Sequence, residues 1–233
     1  MSEWWTYRPS DFLMFAPRTY WRLFELHNAQ WWPLQGLVLL AALACIGWAV
    51  RRGAPALRTG AAGLAAVWVF VATSFLLQRY APINWAASAF AAAFLLQASG
   101  LVALAARRDL RAASGAPRRA VGAALLAWAL GAHPLLAWAD GRPWTQAEVF
   151  GLAPDPTAIA TLGWLLWTDA VTPTTRRLLG ALRGVPVAWC AVSAATLGTM
   201  GAVQSWVTVV AGAATAIALV LDTREAGRRP PSL

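Results

Sequence analysis

The chain contains no lysine: all 19 of its basic residues are arginine, set against 10 acidic residues and 2 histidines. Charge is also scarce, at 12% of residues, which excludes a large solvated surface and implies a lipid-facing one. A formal charge of +9 would suit nucleic acid, but nucleic-acid binders gather charge on a folded polar face. Here the arginines fall in short gaps between apolar runs, so no nucleic-acid partner is expected. Cysteine is limited to Cys45 and Cys190, each inside an apolar run and far from a second cysteine or histidine at metal spacing. This excludes a disulfide framework and a redox pair, and leaves two small buried apolar residues. The opening segment "MSEWWTYRPSD" lacks the basic region, apolar core and small-residue cleavage site of a signal peptide, so retention without cleavage is expected.

Apolar residues make up 59% of the chain and include 15 tryptophans. Runs of about bilayer length fall at Trp32–Val50, Gly60–Leu77, Asn84–Ala106, Val121–Trp138, Pro156–Val171, Val185–Val203 and Trp206–Leu221, the fifth and seventh being short. The expected fold class is therefore all-α, a polytopic transmembrane bundle of about seven helices. Fourteen arginines fall on one side, in the gaps at 51–58, 107–119 and 176–183 and in the tail at 224–229. Arg8, Arg18, Arg22, Arg79 and Arg142 fall on the other. The positive-inside rule then places the N-terminus outside and the C-terminus in the cytoplasm of a bacterial inner membrane. The expected divisions are an outer interfacial segment over 1–30, the bundle over 31–222 and a basic cytoplasmic tail over 223–233. Trp31, Trp32, Trp138, Trp144, Trp167 and Trp206 lie near span ends, as in an aromatic belt. Small-residue stretches such as "ASAFAAAF" and "GAAGLAAVWVF" permit close helix approach in lipid.

The segment Pro17–Asn28, "PRTYWRLFELHN", has a different pattern. At helical spacing Tyr20, Leu23, Phe24 and His27 share one side, and Arg18, Arg22 and Glu25 share another. An amphipathic helix lying in the outer interface follows, serving as a packing lid or as a docking surface.

Every acidic residue falls in a loop or at a span end, and no ionisable residue stands in the middle of a run. That disfavours an ion-coupled transporter, which normally keeps a carboxylate or base at depth. The remaining candidates gather toward the outer side: His27, His133 with Pro134 behind it, Asp140, Arg142 and Asp155. Two histidines on one side invite metal or haem ligation, but no supporting ligand spacing accompanies them. Each reads better as an interfacial anchor with a satisfied hydrogen bond. In "FGLAPDPTAIATLG", Asp155 reads as the N-cap and Pro156 as the first residue of the fifth helix, sealing its end at the outer surface. Asn84 and Gln97 bond between helices or line a polar groove. No nucleophile motif and no phosphate-binding glycine loop is present.

Four segments in order, "HNAQWWPLQ" (27–35), "YAPINWAASAF" (80–90), "HPLLAWADGRPW" (133–144) and "FGLAPDPTAIATLG" (150–163), resemble the bacterial inner-membrane family known as domain of unknown function 6064. The resemblance runs from about residue 24 to 221 and implies a multi-pass membrane fold without a defined activity. Proteins resembling this family often carry the name of major facilitator permeases, although this chain has about half the helices of that fold.

The expected function is non-enzymatic: an accessory or scaffold subunit, or a membrane protein that binds lipid or a small ligand. No cofactor is expected. Partners would be the bilayer and other membrane subunits. The alternatives are a small-solute permease or channel with a path near Asn84, Gln97 and His133, and a haem- or metal-binding redox subunit using His27 and His133.

Overall fold

The computed structural model describes residues 14–228. Arg8 and Arg229 of the charge count lie outside them. Helix α1 (Pro17–Gln30) opens on a proline and buries Tyr20, Leu23, Phe24 and His27, the face its periodicity predicts, together with Trp21. Helix α2 (Leu34–Arg52) turns into α3 (Ala54–Phe70) at Gly53, whose φ of 61° is open to glycine at little cost. Helix α3 continues through a π-helical segment, Val71–Tyr80, as one 27-residue helix. Helix α4 spans Ala87–Ala105.

Helix α5 (Ala116–Ala127) passes into a π-helical turn at Trp128–Ala132, and Pro134 then separates it from the short α6 (Leu135–Ala139). Proline supplies no N–H and crowds the preceding turn, which accounts for the break. Helices α7 (Pro154–Trp167), α8 (Pro173–Ala181), α9 (Gly184–Thr199) and α10 (Ser205–Arg228) complete the chain.

All seven apolar runs contain helix, and the molecule is mostly helical. Five helices are long and apolar enough to cross a membrane: Leu34–Arg52, Ala54–Tyr80, Ala87–Ala105, Pro173–Thr199 (α8 with α9) and Ser205–Arg224. The fifth run is shorter than expected. Helix α7 has 14 residues, about 21 Å at the usual rise, against a hydrocarbon core of about 30 Å. An all-α fold also omits one feature: β1 (Leu110–Ala112) pairs antiparallel with β2 (Thr168–Ala170), Arg111 opposite Asp169. The folding of α5 against α7 brings the basic gap at 107–119 beside the end of the fifth run, where their backbone groups bond to each other.

Helix α7 is the axis of the bundle. Residues 154–166 are all buried, with α3, α5, α9 and α10 packed around them. Gly122 of α5 and Gly163 of α7 meet backbone to backbone: a Cβ built on either would lie 2.8 Å from the other's carbonyl oxygen. Trp68 donates to Thr161 Oγ1 at 2.8 Å, and its ring packs 4.2 Å from that of Phe94. Interhelical hydrogen bonds in membranes average only about 0.6 kcal/mol, so close packing around α7 contributes more than its polar contacts.

At the arginine-rich end, several arginines have specific partners. Arg118 donates to the Thr168 carbonyl at 2.7 Å and pairs with Asp222 at 3.4 Å, while Arg111 pairs with Asp169 at 3.0 Å. Asp109 accepts from the Thr172 hydroxyl and amide and from the Thr175 hydroxyl, bonds that hold its carboxyl down at about 2.

Candidate functional site

The end of the bundle opposite those gaps holds a buried polar cluster. The chain enters α7 two residues earlier than the cap signal predicts: Ala153 stands at the N-cap position with no side-chain bond, and Pro154 opens the helix. Pro154 and Pro156 remove two of the amides a cap would satisfy. Asp155 is therefore free to turn away, and it accepts from Trp189 Nε1 at 2.7 Å and Ser193 Oγ at 2.5 Å, both on α9. Thr157 ties the turn instead, accepting from the Gly151 amide at 3.0 Å and donating to the Ala153 carbonyl at 2.7 Å. Gly151 has a φ of 82°, and a Cβ there would meet Val38 Cγ1 at 2.5 Å. Far from sealing the outer surface, the segment "FGLAPDPTAIATLG" forms the interior of the bundle.

Glu148 and Asp155 occupy a loop and a helix end as their sequence positions indicate, yet each is only 2% exposed. The loop over 140–153 folds beneath α1 and carries them inward. His133, also buried, has its Nε2 3.7 Å from Glu148 Oε2, too long for a hydrogen bond. With its amide oriented to satisfy both neighbours, Gln204 donates to Glu148 Oε2 at 2.9 Å and accepts from Arg142. The Arg142 guanidinium lies 3.6 Å over the Trp21 ring, donates to the Gln146 carbonyl at 3.2 Å and faces Asp140 at 3.5 Å. Burial lowers the Arg142 pKa, and Glu148 and Asp140 oppose that shift. The Tyr20 hydroxyl is raised well above its ordinary value, by burial first and then by Glu148 and Asp155.

His27 is elsewhere, among the rings of Trp31, Phe70 and Phe75. It was expected to have a satisfied hydrogen bond, but neither ring nitrogen makes one among the described residues. Burial, then the nearby Arg79, pushes its pKa down to about 4. The helix face that carries it is amphipathic, but its neighbours are nearly all apolar. Asn84 Oδ1 accepts from the Ala86 amide at the start of α4, and Gln97 Nε2 donates to the Leu182 carbonyl at 2.8 Å. These two residues are 13 positions apart, about 20 Å along a helix, and each holds a turn or a helix junction rather than a common groove.

The cluster thus unites His133, Asp140, Arg142 and Asp155 of the sequence candidates, and leaves out His27, Asn84 and Gln97. Its additional members are Trp21, Glu148, Trp189, Ser193 and Gln204. Among the described residues, no three metal-ligating side chains gather. Arg142 lies against Asp140 and the Trp21 ring, Asp155 is held by the neutral Trp189 and Ser193, and Gln204 reaches Glu148. These contacts tie α1, the 140–153 loop, α7, α9 and the entry to α10 together.

A second site lies between α2 and the bundle. Helix α2 packs chiefly on α3 and buries Ala49 alone. Val38, Cys45 and Ile46 of α2, Gly63 and Val67 of α3, Leu126 and Leu130 beyond it, and Trp164 of α7 line a cleft of about 260 Å³. The cleft is almost wholly apolar. Trp164 lies over Gly60, where a Cβ would come within 2.0 Å of its ring, and its buried Nε1 has no acceptor among the described residues.

Residues 18–229 match the pattern of a family described as "Family of unknown function (DUF6064)". The chain belongs to this family. The DUF6064 match takes in every helix of both the cluster and the cleft, and gives no support to the name of permease. No curated protein and no solved structure matches the chain. Sequence reasoning missed the cleft because nearly all of its lining comes from apolar runs. The pair Gly60 and Gly63, on one side of a helix, was the available signal.

Proposed function

We propose that this chain is a seven-helix protein of a bacterial inner membrane, with its N-terminus outside and its C-terminus inside, that acts by binding an apolar membrane ligand rather than by catalysis. It would do so alone or as an accessory subunit of a larger complex. The cleft carries this reading: a concave, almost wholly apolar wall between α2, α3 and the Trp164 ring suits a ligand with an apolar body. Its volume, just below the usual range of about 300–1,000 Å³ for small-molecule sites, suits part of a chain or a small ring. Support also comes from α2, whose outer face exposes Leu37, Leu40 and Leu43. A helix held on one side leaves lateral access from lipid. The permease alternative draws less support, since Asn84 and Gln97 are hydrogen-bonded in separate places and His133 lies in the cluster apart from both. The redox alternative loses its shared site, since the two histidines have different neighbours.

Native mass spectrometry of the protein extracted in mild detergent from its own membrane tests the proposal, with an absorption spectrum of the same sample. A retained lipid or apolar small molecule, without colour, is expected. A bare polypeptide mass, or a Soret band, would overturn the reading.

A further inference from the structure

The binding reading says nothing of what lies outside the cleft, and α2 extends the site in one direction. Ala41, Cys45, Trp48 and Arg52 recur at i, i+4, i+7 and i+11, so one stripe of α2 runs from the cleft to the basic turn before α3. Ala41 and Cys45 line the cleft. Trp48, Arg51 and Arg52 line an open hollow of about 900 Å³ at the other end of the stripe, completed by Gly47 and Pro55.

The three arginines at this turn differ. Arg58 Nε is committed to the Ala105 carbonyl at 2.8 Å. Arg51 and Arg52 are exposed and make neither an ion pair nor a side-chain hydrogen bond among the described residues. Elsewhere at this end Arg111 and Arg118 have carboxylate partners, and Arg107 with Arg108 forms a second exposed pair without one among the described residues; what distinguishes Arg51 and Arg52 is the hollow they line. Guanidinium groups suit phosphate geometry, two donors to two oxygens. Trp48, 42% exposed, stands one turn before Arg52, at the end of the span where interfacial tryptophans concentrate. Gly60, beneath Trp164, lies seven residues along α3 from Gly53, about 10 Å from the turn.

Resting on the apolar-ligand reading, we infer that the occupant is an anionic diacyl phospholipid of the leaflet on the arginine-rich side. One acyl chain enters the cleft under α2 and packs against the Trp164 ring, and the phosphate lies on Arg51 and Arg52. Charge complementarity selects this ligand over a zwitterionic lipid, and the free guanidinium pair selects it over an isoprenoid quinone, which has no anionic group.

The test uses the full chain, delipidated in mild detergent and offered phosphatidylglycerol, phosphatidylcholine with identical chains, or ubiquinone. Adducts are counted by native mass spectrometry, and tryptophan fluorescence is followed with lipids brominated on the acyl chains. The wild type should retain phosphatidylglycerol over phosphatidylcholine by about fivefold or more, the effect of about one arginine near an anionic lipid. Arg51→Gln with Arg52→Gln should bring both lipids to the phosphatidylcholine level. Ala42→Phe, which fills the cleft, should reduce both. Brominated chains should quench the wild type more than Trp164→Phe, a comparison that stands even if Ala42→Phe fails to fold. Equal retention of the two lipids, with the quenching difference intact, would overturn the headgroup assignment and leave the apolar cleft standing. Preferred retention of ubiquinone would overturn the lipid class. Equal quenching in wild type and Trp164→Phe would overturn occupancy of the cleft itself.

Discussion

His27 shows how one residue can read correctly in its pattern and wrongly in its chemistry. Its place on the apolar face of α1 follows from spacing to Tyr20, Leu23 and Phe24, whereas the lack of any partner depends on Phe70 and Phe75 arriving from a distant helix. A buried imidazole held neutral down to about pH 4, against an ordinary value of about 6.5, binds fewer protons folded than unfolded. Stability from this residue is therefore complete above about pH 6.5 and falls as pH drops toward 4, by up to about 3 kcal/mol. Thermal unfolding in detergent at pH 7.5 and pH 5 should show a larger drop in midpoint for the wild type than for His27→Phe. Equal drops would remove the effect. Asp155 was misread for a related reason. The local motif Asp-Pro-Thr is a sound start signal, but Trp189 and Ser193 compete for the carboxylate from another helix.

Element positions were legible because each apolar run had to be helical to satisfy its own backbone in lipid. Ends and contacts were less so. The interruption at Pro134 was visible; the strand pair was not, since three residues in an arginine-rich gap and three at the end of an apolar run have no strand periodicity of their own. Nor does composition distinguish one glycine from another. Gly122 and Gly163 each face a carbonyl oxygen at 2.8 Å from where a Cβ would stand, while Gly131 and Gly180 face open space. Gly163→Ala should therefore destabilise the protein by about 1–3 kcal/mol, because backbone cannot yield as a flexible side chain would. Gly180→Ala should be neutral or slightly stabilising through helix propensity. Melting midpoints of the two variants in one detergent check the contrast, and equal midpoints would show that α5 and α7 can separate.

At the scale of the molecule, the class was legible and the layering was not. A run of 13 buried residues and a run facing lipid are equally apolar, so hydropathy ranked α7 with its neighbours when it is their shared core. Orientation can be tested with the two native cysteines replaced by alanine and single cysteines placed in exposed loops. Thr145→Cys should react with a membrane-impermeant maleimide on intact cells, and Arg108→Cys only after lysis. The reverse pattern would invert the assignment drawn from the arginines.

The central position of α7 also bears on how the chain is made. Its carboxylate at Asp155 meets Trp189 and Ser193, which lie 34 and 38 residues later, and α10 arrives later still. During synthesis the middle of the polypeptide has neither the length to span on its own nor the walls that will enclose it. The walls that α9 and α10 place around residues 154–167 can therefore form only after residues 184–228 have been made.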